Sequence, residues 1–93
     1  IEVVAVGARD RTRDRGVDLS RFAWVDDMTA MAERADVDVV VEMVGGADGP
    51  ALTLARAALD AGKGLVTANK AMIAHHGVEL AQLAALKAAP LQF

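Results

Sequence analysis

Cysteine is absent from this 93-residue sequence, and so is any long uninterrupted apolar run. The lack of cysteine excludes disulfide bonds and thiolate metal sites. The most apolar stretch, residues 37–44, is interrupted by Asp38 and Glu42 and is far too short to span a bilayer. No signal peptide is expected either, because the chain starts directly with a strand-like run. These absences predict a cytoplasmic protein with no membrane contact.

The charge pattern narrows the possible partners further. A net charge of −3 argues against a general binder of nucleic acid, although arginine is concentrated locally at Arg9, Arg11, Arg13 and Arg15. His75 and His76 are neighbours on a predicted helix and diverge by a large angle, so they do not form a metal pair, and no metal site is expected. A composition of 54% apolar and 25% charged residues is that of a folded chain with a thin core.

Strand-like and helix-like segments alternate along the chain. Strands are predicted at residues 1–6, 22–25, 38–46, 65–67 and 91–93, and three consecutive valines predict a strand that is covered on both faces. Helices are predicted after a cap at Asp26 or Asp27, from Asp48 and Pro50 to Gly62, and from Lys70 toward Pro90. This alternation predicts βαβ units with a parallel sheet, in one domain covering residues 1–93.

The carboxyl ends of parallel strands form the ligand-binding edge of such a sheet. At these ends the sequence has Ala8 with Arg9, then Gly45 with Gly46, and then the stretch from Thr67 through Asn69 to Lys70. Two glycines after a strand allow a ligand to approach the backbone closely, whereas the simpler interpretation is a tight turn. The three loops together favour a binding site.

Two stretches, VVVEMVGG and AALDAGKGLVTANKAMIAHHGVELAQLA, resemble consecutive motifs of homoserine dehydrogenase. The resemblance is strong over residues 36–93 and looser over residues 1–35. It implies part of an enzyme that interconverts L-homoserine and L-aspartate 4-semialdehyde with NAD or NADP, on the pathway to threonine, methionine and isoleucine. It also implies a Rossmann-type cofactor domain and a homo-oligomeric full-length protein.

The resemblance assigns roles to the residues at the strand ends. Gly45 and Gly46 would lie beside the nicotinamide ribose, Thr67 and Asn69 would belong to the cofactor site, and Lys70 would stand between cofactor and substrate. An ammonium group there can stabilise the negative charge that develops on an aldehyde oxygen and relay a proton. The alternative for Lys70 is a solvated lysine at a helix start, which is an unfavourable end for a cation.

Two further residues have a favoured and an alternative interpretation. A small residue followed by arginine, here Ala8 and Arg9, accommodates a 2′-phosphate, so NADP is favoured over NAD. One alternative is a solvated loop with local pairing of arginine and aspartate, and another is that Asp10 serves a ribose. Glu42 interrupts a buried strand, and we favour a hydrogen-bonded structural carboxylate over a residue that acts in the site itself.

The sequence also departs from the family. The phosphate-binding motif GxGxxG does not occur in it, which indicates an incomplete Rossmann-type domain without its first strand and glycine-rich loop. In the order 3-2-1-4-5-6 that strand lies at the centre of the sheet, so two inner edges would be unpaired. We expect this chain alone to be inactive. The alternatives are another NAD(P)-dependent oxidoreductase with a similar cofactor domain and a non-catalytic βαβ binding module.

Overall fold

The computed structural model describes residues 2–8, 16 and 20–93. Strands and helices alternate in it as predicted. In chain order they are β1 (Ala5–Val6), β2 (Ala23–Trp24), α1 (Met28–Glu33), β3 (Val39–Glu42), α2 (Pro50–Asp60), β4 (Gly64–Thr67), α3 (Lys70–Lys87) and β5 (Leu91–Gln92). The strands are shorter than expected, and β1 and β2 have two residues each. Ile1 and the arginine-rich residues 9–15 lie outside the described part of the chain.

The strands form two parallel sheets. One sheet pairs β1 with β2, and the other has the order β3-β4-β5. No ladder joins β1 to β3 within the described residues, which is the arrangement expected when the central strand of the order 3-2-1-4-5-6 is missing. The fold is therefore a parallel α/β arrangement of the Rossmann type, as the sequence predicted.

Helix α2 is at the centre of the helical layer. It packs against α1 and α3, and it also contacts β3 and β4. Leu52, Ala55 and Leu59, which helical periodicity places on one face of α2, are all buried. The largest fully buried apolar side chains, which fill the space between the helices and the larger sheet, are Leu59, Leu65, Met72 and Leu80. In the described part of the chain, no helix has the length and apolar character needed to cross a membrane.

The prediction that the valine strand is covered on both faces is wrong for the described residues. Side chains alternate along β3, so that Val40 is 4% exposed and Val41 is 62% exposed. The crossover helices explain the difference, because successive right-handed connections from β3 through β4 to β5 bring α2 and α3 to one face of the sheet. The exposed valines lie on the opposite face.

The helix starts refine the predicted boundaries. Of the two candidate caps for α1, it is Asp27 whose side chain accepts a hydrogen bond from the Thr29 amide, at 3.0 Å. Helix α2 begins at Pro50 as proline at a first helical position predicts. The residue before it is Gly49, however, and Asp48 instead contacts His76 at 2.8 Å.

We expect Gly7→Ala to destabilise the protein. An added Cβ would lie 2.6 Å from the carbonyl oxygen of Val25. The Val25 amide is hydrogen-bonded to the Val6 carbonyl at 2.9 Å, so the backbone cannot shift without disturbing the pairing of β1 and β2. Overpacking of this kind reduces the free energy of unfolding by about 1–3 kcal/mol. Urea denaturation of the full-length protein measures it.

Gly77→Ala is the matched control. Gly77 lies inside α3, and its added Cβ would meet only Cγ2 of Ile73, at 3.3 Å, which belongs to a side chain that can move. Replacing a glycine inside a helix by alanine contributes up to about 1 kcal/mol of stability. Relative to the wild type, the urea midpoint should therefore fall for Gly7→Ala and rise for Gly77→Ala. Equal midpoints for both variants would contradict the close approach at Gly7.

Candidate functional site

The loops that follow the parallel strands lie at one edge of the structure. Ala8 follows β1, Asp26 and Asp27 follow β2, and the glycine pair follows β3. An open cleft of about 500 Å³ lies at this edge. Its lining residues come from the ends of β1 and β2 and from the first turns of α1 and α2: Ala8, Asp26, Asp27, Met28, Thr29, Pro50 and Thr53.

Glu42 is the last residue of β3, and it is completely buried. Its Oε2 atom accepts hydrogen bonds from the backbone amides of Val44 at 2.6 Å and Gly45 at 3.3 Å. Its Oε1 atom accepts a hydrogen bond from the Thr67 hydroxyl at 2.6 Å. The interpretation of Glu42 as a hydrogen-bonded carboxylate is therefore confirmed, and its contacts reach both the β3–α2 loop and the end of β4.

Thr67 is buried at the end of β4, directly opposite Glu42 in the strand register. Its hydroxyl donates to Glu42 and accepts a hydrogen bond from the Asn69 amide at 2.9 Å. A hydroxyl has a single proton, so any further contact of Thr67 has to use its oxygen as an acceptor. The assignment of Thr67 to the cofactor stays a prediction.

Asn69 connects the two loops and also begins a helix. Its Oδ1 atom accepts a hydrogen bond from the Met72 amide at 3.0 Å, which makes it the N-cap of α3. Its Nδ2 atom donates to the Gly46 carbonyl at 2.6 Å. Both ends of one buried amide are thereby used, and the start of α3 is held against the glycine loop.

Gly45 and Gly46 have φ angles of 88° and 86°, a region that side-chain-bearing residues rarely adopt. Both glycines are exposed. A Cβ added at Gly45 would meet no atom within 4 Å, so the space beside this backbone is open to a ligand. The glycine pair therefore makes a tight turn and an accessible backbone surface at once.

Lys70 is exposed and is the first residue of α3. It directly follows Asn69, whose side chain donates to the Gly46 carbonyl. The Cα atoms of these two consecutive residues are about 3.8 Å apart. The structure thus brings four predicted site residues together: Gly46, Thr67, Asn69 and Lys70. Arg9 lies outside the described residues, and its role stays a prediction.

Charged residues beside the cleft and on the surface of α3 were not among the site residues predicted from the ends of the strands. The hydroxyl and amide of Thr29 lower the pKa of Asp27 below its ordinary value. Because its pKa is lower in the folded state, this interaction stabilises the fold above the ordinary pKa of aspartate and is lost as the pH falls through the folded-state pKa. Arg56 likewise lowers the pKa of Glu79 through a two-point contact at 2.6 and 2.8 Å.

The aspartates after β2 could have been found from the sequence, because they also follow a predicted parallel strand. The contact of Asp48 with His76 could not, since these residues are 28 positions apart. Across residues 2–8, 16 and 20–93, no cluster of three metal-ligating side chains is present.

The arrangement at this edge fits a dinucleotide. Such a ligand needs a backbone that it can approach closely, a cleft beside the strand ends and polar groups at the reacting end. Those needs match the open side of Gly45, the cleft beside Ala8 and the exposed Lys70.

Comparison with known proteins bears on this arrangement. The sequence model of the family described as "Homoserine dehydrogenase, NAD binding domain" matches residues 1–93. The homoserine dehydrogenase of Corynebacterium glutamicum is 52% identical over 59 residues, which are 63% of this chain and 13% of that protein. The homoserine dehydrogenase of Synechocystis is 40% identical over 84 residues, which are 90% of this chain and 19% of that protein.

Solved structures show the same similarity. The homoserine dehydrogenase of Thiobacillus denitrificans superimposes with a TM-score of 0.86 at 28% identity, over 97% of this chain and 20% of that one. The Staphylococcus aureus enzyme crystallised at pH 7.5 superimposes with a TM-score of 0.85 at 29% identity, over 97% of this chain and 23% of that one. This chain therefore spans less than a quarter of the proteins that it resembles.

Asn69→Ala should lower the free energy of unfolding by about 2 kcal/mol, because it removes an N-cap and a buried hydrogen bond that contribute about 1 kcal/mol each. Asn69→Ser is the comparison variant. Its hydroxyl oxygen can cap α3, but the shorter side chain brings no amide donor to the Gly46 carbonyl, so its loss should be about half as large. Urea denaturation of both variants in the full-length protein measures the difference, and wild-type stability of Asn69→Ala would contradict the contacts described.

Proposed function

The chain belongs to the family of homoserine dehydrogenase NAD-binding domains, and on this premise we propose that it is the cofactor-binding part of a homoserine dehydrogenase. The reaction is the interconversion of L-homoserine and L-aspartate 4-semialdehyde. One observation supports this most directly. The hydrogen bond from Asn69 to the Gly46 carbonyl at 2.6 Å holds the glycine loop against the start of the helix that carries Lys70.

The residues at the carboxyl ends of the strands would have different roles in binding and catalysis. A nicotinamide dinucleotide supplies or accepts the hydride when it is bound. Gly45 and Gly46 would lie along its nicotinamide ribose, where their backbone has no side chain in the way. Thr67 and Asn69 would shape the pocket beside it, since both are buried and hydrogen-bonded to the glycine loop or to Glu42.

Lys70 would act on the reacting oxygen. Reduction of the aldehyde places negative charge on that oxygen, and the Lys70 ammonium would stabilise the charge and donate the proton that completes the alcohol. In the reverse direction the amine would take the proton from the hydroxyl of homoserine. The exposed position of Lys70 at the first turn of α3 supports this role, because the side chain is available to a substrate.

NADP is the cofactor that we propose in preference to NAD. The support comes from the sequence, in which Ala8 and Arg9 follow a strand where a 2′-phosphate would be bound. A cytoplasmic location and a homo-oligomeric full-length enzyme belong to the same proposal.

Family membership favours this function over the two alternatives raised by the sequence. A different oxidoreductase with a similar cofactor domain would not be expected to match the homoserine dehydrogenase family over residues 1–93. A βαβ module without chemistry would bind no cofactor. Titration of the full-length protein with NADPH tests the second alternative, because bound nicotinamide would quench Trp24 or receive energy from it.

We expect Lys70→Met to lower kcat by roughly 10²–10⁴-fold, the range for a positioned acid or base, while binding of NADPH changes much less. Methionine keeps the length and the apolar stem of the side chain but removes the charge. Lys70→Arg should not restore kcat, because a guanidinium does not readily give up a proton. Steady-state kinetics of the full-length protein with homoserine measures both variants.

Lys87→Met is the control for this experiment. Lys87 lies at the other end of α3, and its Nζ atom is 3.5 Å from Asp60 on the surface. The same substitution there should leave kcat unchanged. A folded Lys70→Met protein with near-normal kcat, confirmed by thermal denaturation, would show that the catalytic assignment is wrong.

Arg9→Ala should weaken binding of NADPH by about 10–100-fold, since a charge-assisted contact to phosphate contributes roughly 1.5–3 kcal/mol. Binding of NADH should change little. Arg34→Ala is the control, because Arg34 ends α1 and pairs with Asp36 on the surface. Dissociation constants from fluorescence titration give the ratio of the two cofactors, and equal losses for both would mean that Arg9 does not contact the 2′-phosphate.

A further inference from the structure

We propose that Glu42 is a positioning residue, which holds the glycine loop after β3 and the lysine loop after β4 in one fixed arrangement. The inference rests on the proposed function, in which Gly45 and Gly46 lie beside the nicotinamide and Lys70 meets the substrate. Glu42 contacts neither ligand in this proposal. It acts through the hydrogen bonds that its carboxylate makes in two directions.

The first direction is toward its own loop. One carboxylate oxygen accepts from two successive backbone amides, those of Val44 and Gly45, at 2.6 and 3.3 Å. These contacts turn the backbone sharply just before Gly46, where the φ angle is 86°. The side chain that ends β3 therefore determines how the glycine pair leaves the sheet.

The second direction is toward the neighbouring loop. The other carboxylate oxygen accepts from the Thr67 hydroxyl at 2.6 Å, and that hydroxyl accepts from the Asn69 amide at 2.9 Å. Asn69 then returns to the first loop through its contact with the Gly46 carbonyl at 2.6 Å. The polar contacts form a closed ring through both loops, and Lys70 is the next residue along the chain.

The chemistry of the ring requires a carboxylate at residue 42. All three groups that meet the Glu42 side chain are donors, so the side chain acts only as an acceptor. A glutamine could satisfy the two backbone amides with its oxygen, but its NH₂ group would then face the Thr67 hydroxyl. The Thr67 hydroxyl oxygen would then accept from that NH₂ group as well as from the Asn69 amide, and its proton would lose the buried acceptor that Glu42 provides.

If Glu42 had a purely structural role, replacing it would have a different effect on stability and turnover. A carboxylate that only stabilises the fold would change the stability when it is replaced, and the remaining folded molecules would turn over normally. A positioning residue changes the turnover of each folded molecule, because a displacement of about 1 Å between reacting groups can reduce a rate by roughly 10²-fold.

The first test uses Glu42→Gln in the full-length protein. We expect kcat per folded molecule to fall by about 10–100-fold, with KM for NADPH changed by less than about 3-fold, because hydride transfer depends on alignment more steeply than binding does. The primary isotope effect with deuterated NADPH should increase, as transfer becomes more rate-limiting. Leu80→Val, a change in the buried core farther along α3, is the control that loses stability and keeps kcat and the isotope effect.

The second test uses two substitutions of the opposite partner. Thr67→Val keeps the volume but removes the hydroxyl, and it should reproduce the loss seen with Glu42→Gln. Thr67→Ser keeps the hydroxyl, and it should regain most of the kcat that Thr67→Val loses, since the ring remains closed. Equal impairment of the two variants, or a folded Glu42→Gln protein with normal kcat and isotope effect, would overturn the proposal.

A third measurement does not depend on catalysis. Amide hydrogen exchange of the cofactor-free protein should accelerate in Glu42→Gln at Val44 and Gly45, because a neutral amide oxygen is a weaker acceptor than a carboxylate, and also at Asn69 and Met72 on the other loop. Acceleration confined to Val44 and Gly45 would overturn the coupling of the two loops. If the wild-type protein did not act on homoserine, the proposed function would fail, and the exchange result would still decide whether Glu42 connects the loops.

Discussion

The burial of one carboxylate at the end of β3 constrains the whole functional edge. A charged group without water is costly unless donors surround it, and the donors available to Glu42 are the amides of its own loop and the hydroxyl of Thr67. The loops after β3 and β4 therefore both form hydrogen bonds that depend on the Glu42 side chain. The glycine turn, the cap of α3 and the location of Lys70 all depend on this arrangement.

Local signals predicted much of the fold. The alternation of elements, the buried face of α2 and its start at Pro50 are properties of short segments, which a single sequence shows directly. The sequence also predicted a helix from Lys70, and the structure adds that Asn69, just before it, is its N-cap. The loops that carry the site followed from the rule that parallel strands end at one edge.

Long-range partners could not be predicted in this way. The Glu42 to Thr67 contact joins residues 25 positions apart, and nothing in either segment specifies the other. A short segment also does not show which face of its strand a helix will cover. Valines at Val39 and Val41 suit a buried strand, but whether a helix covers them depends on the path of the chain, and among the described residues none does. The proposed binding of a 2′-phosphate by Arg9 rests on the sequence alone, because the structure does not describe that residue.

The double use of the Asn69 side chain has a consequence for how the glycine loop can move. Its Oδ1 atom caps α3, and its Nδ2 atom donates to the Gly46 carbonyl. A rotation of this side chain that releases the loop would also leave the Met72 amide, in the first turn of α3, without its acceptor. Release of the loop and fraying of that turn would then be one event rather than two, and a probe of either would report on both.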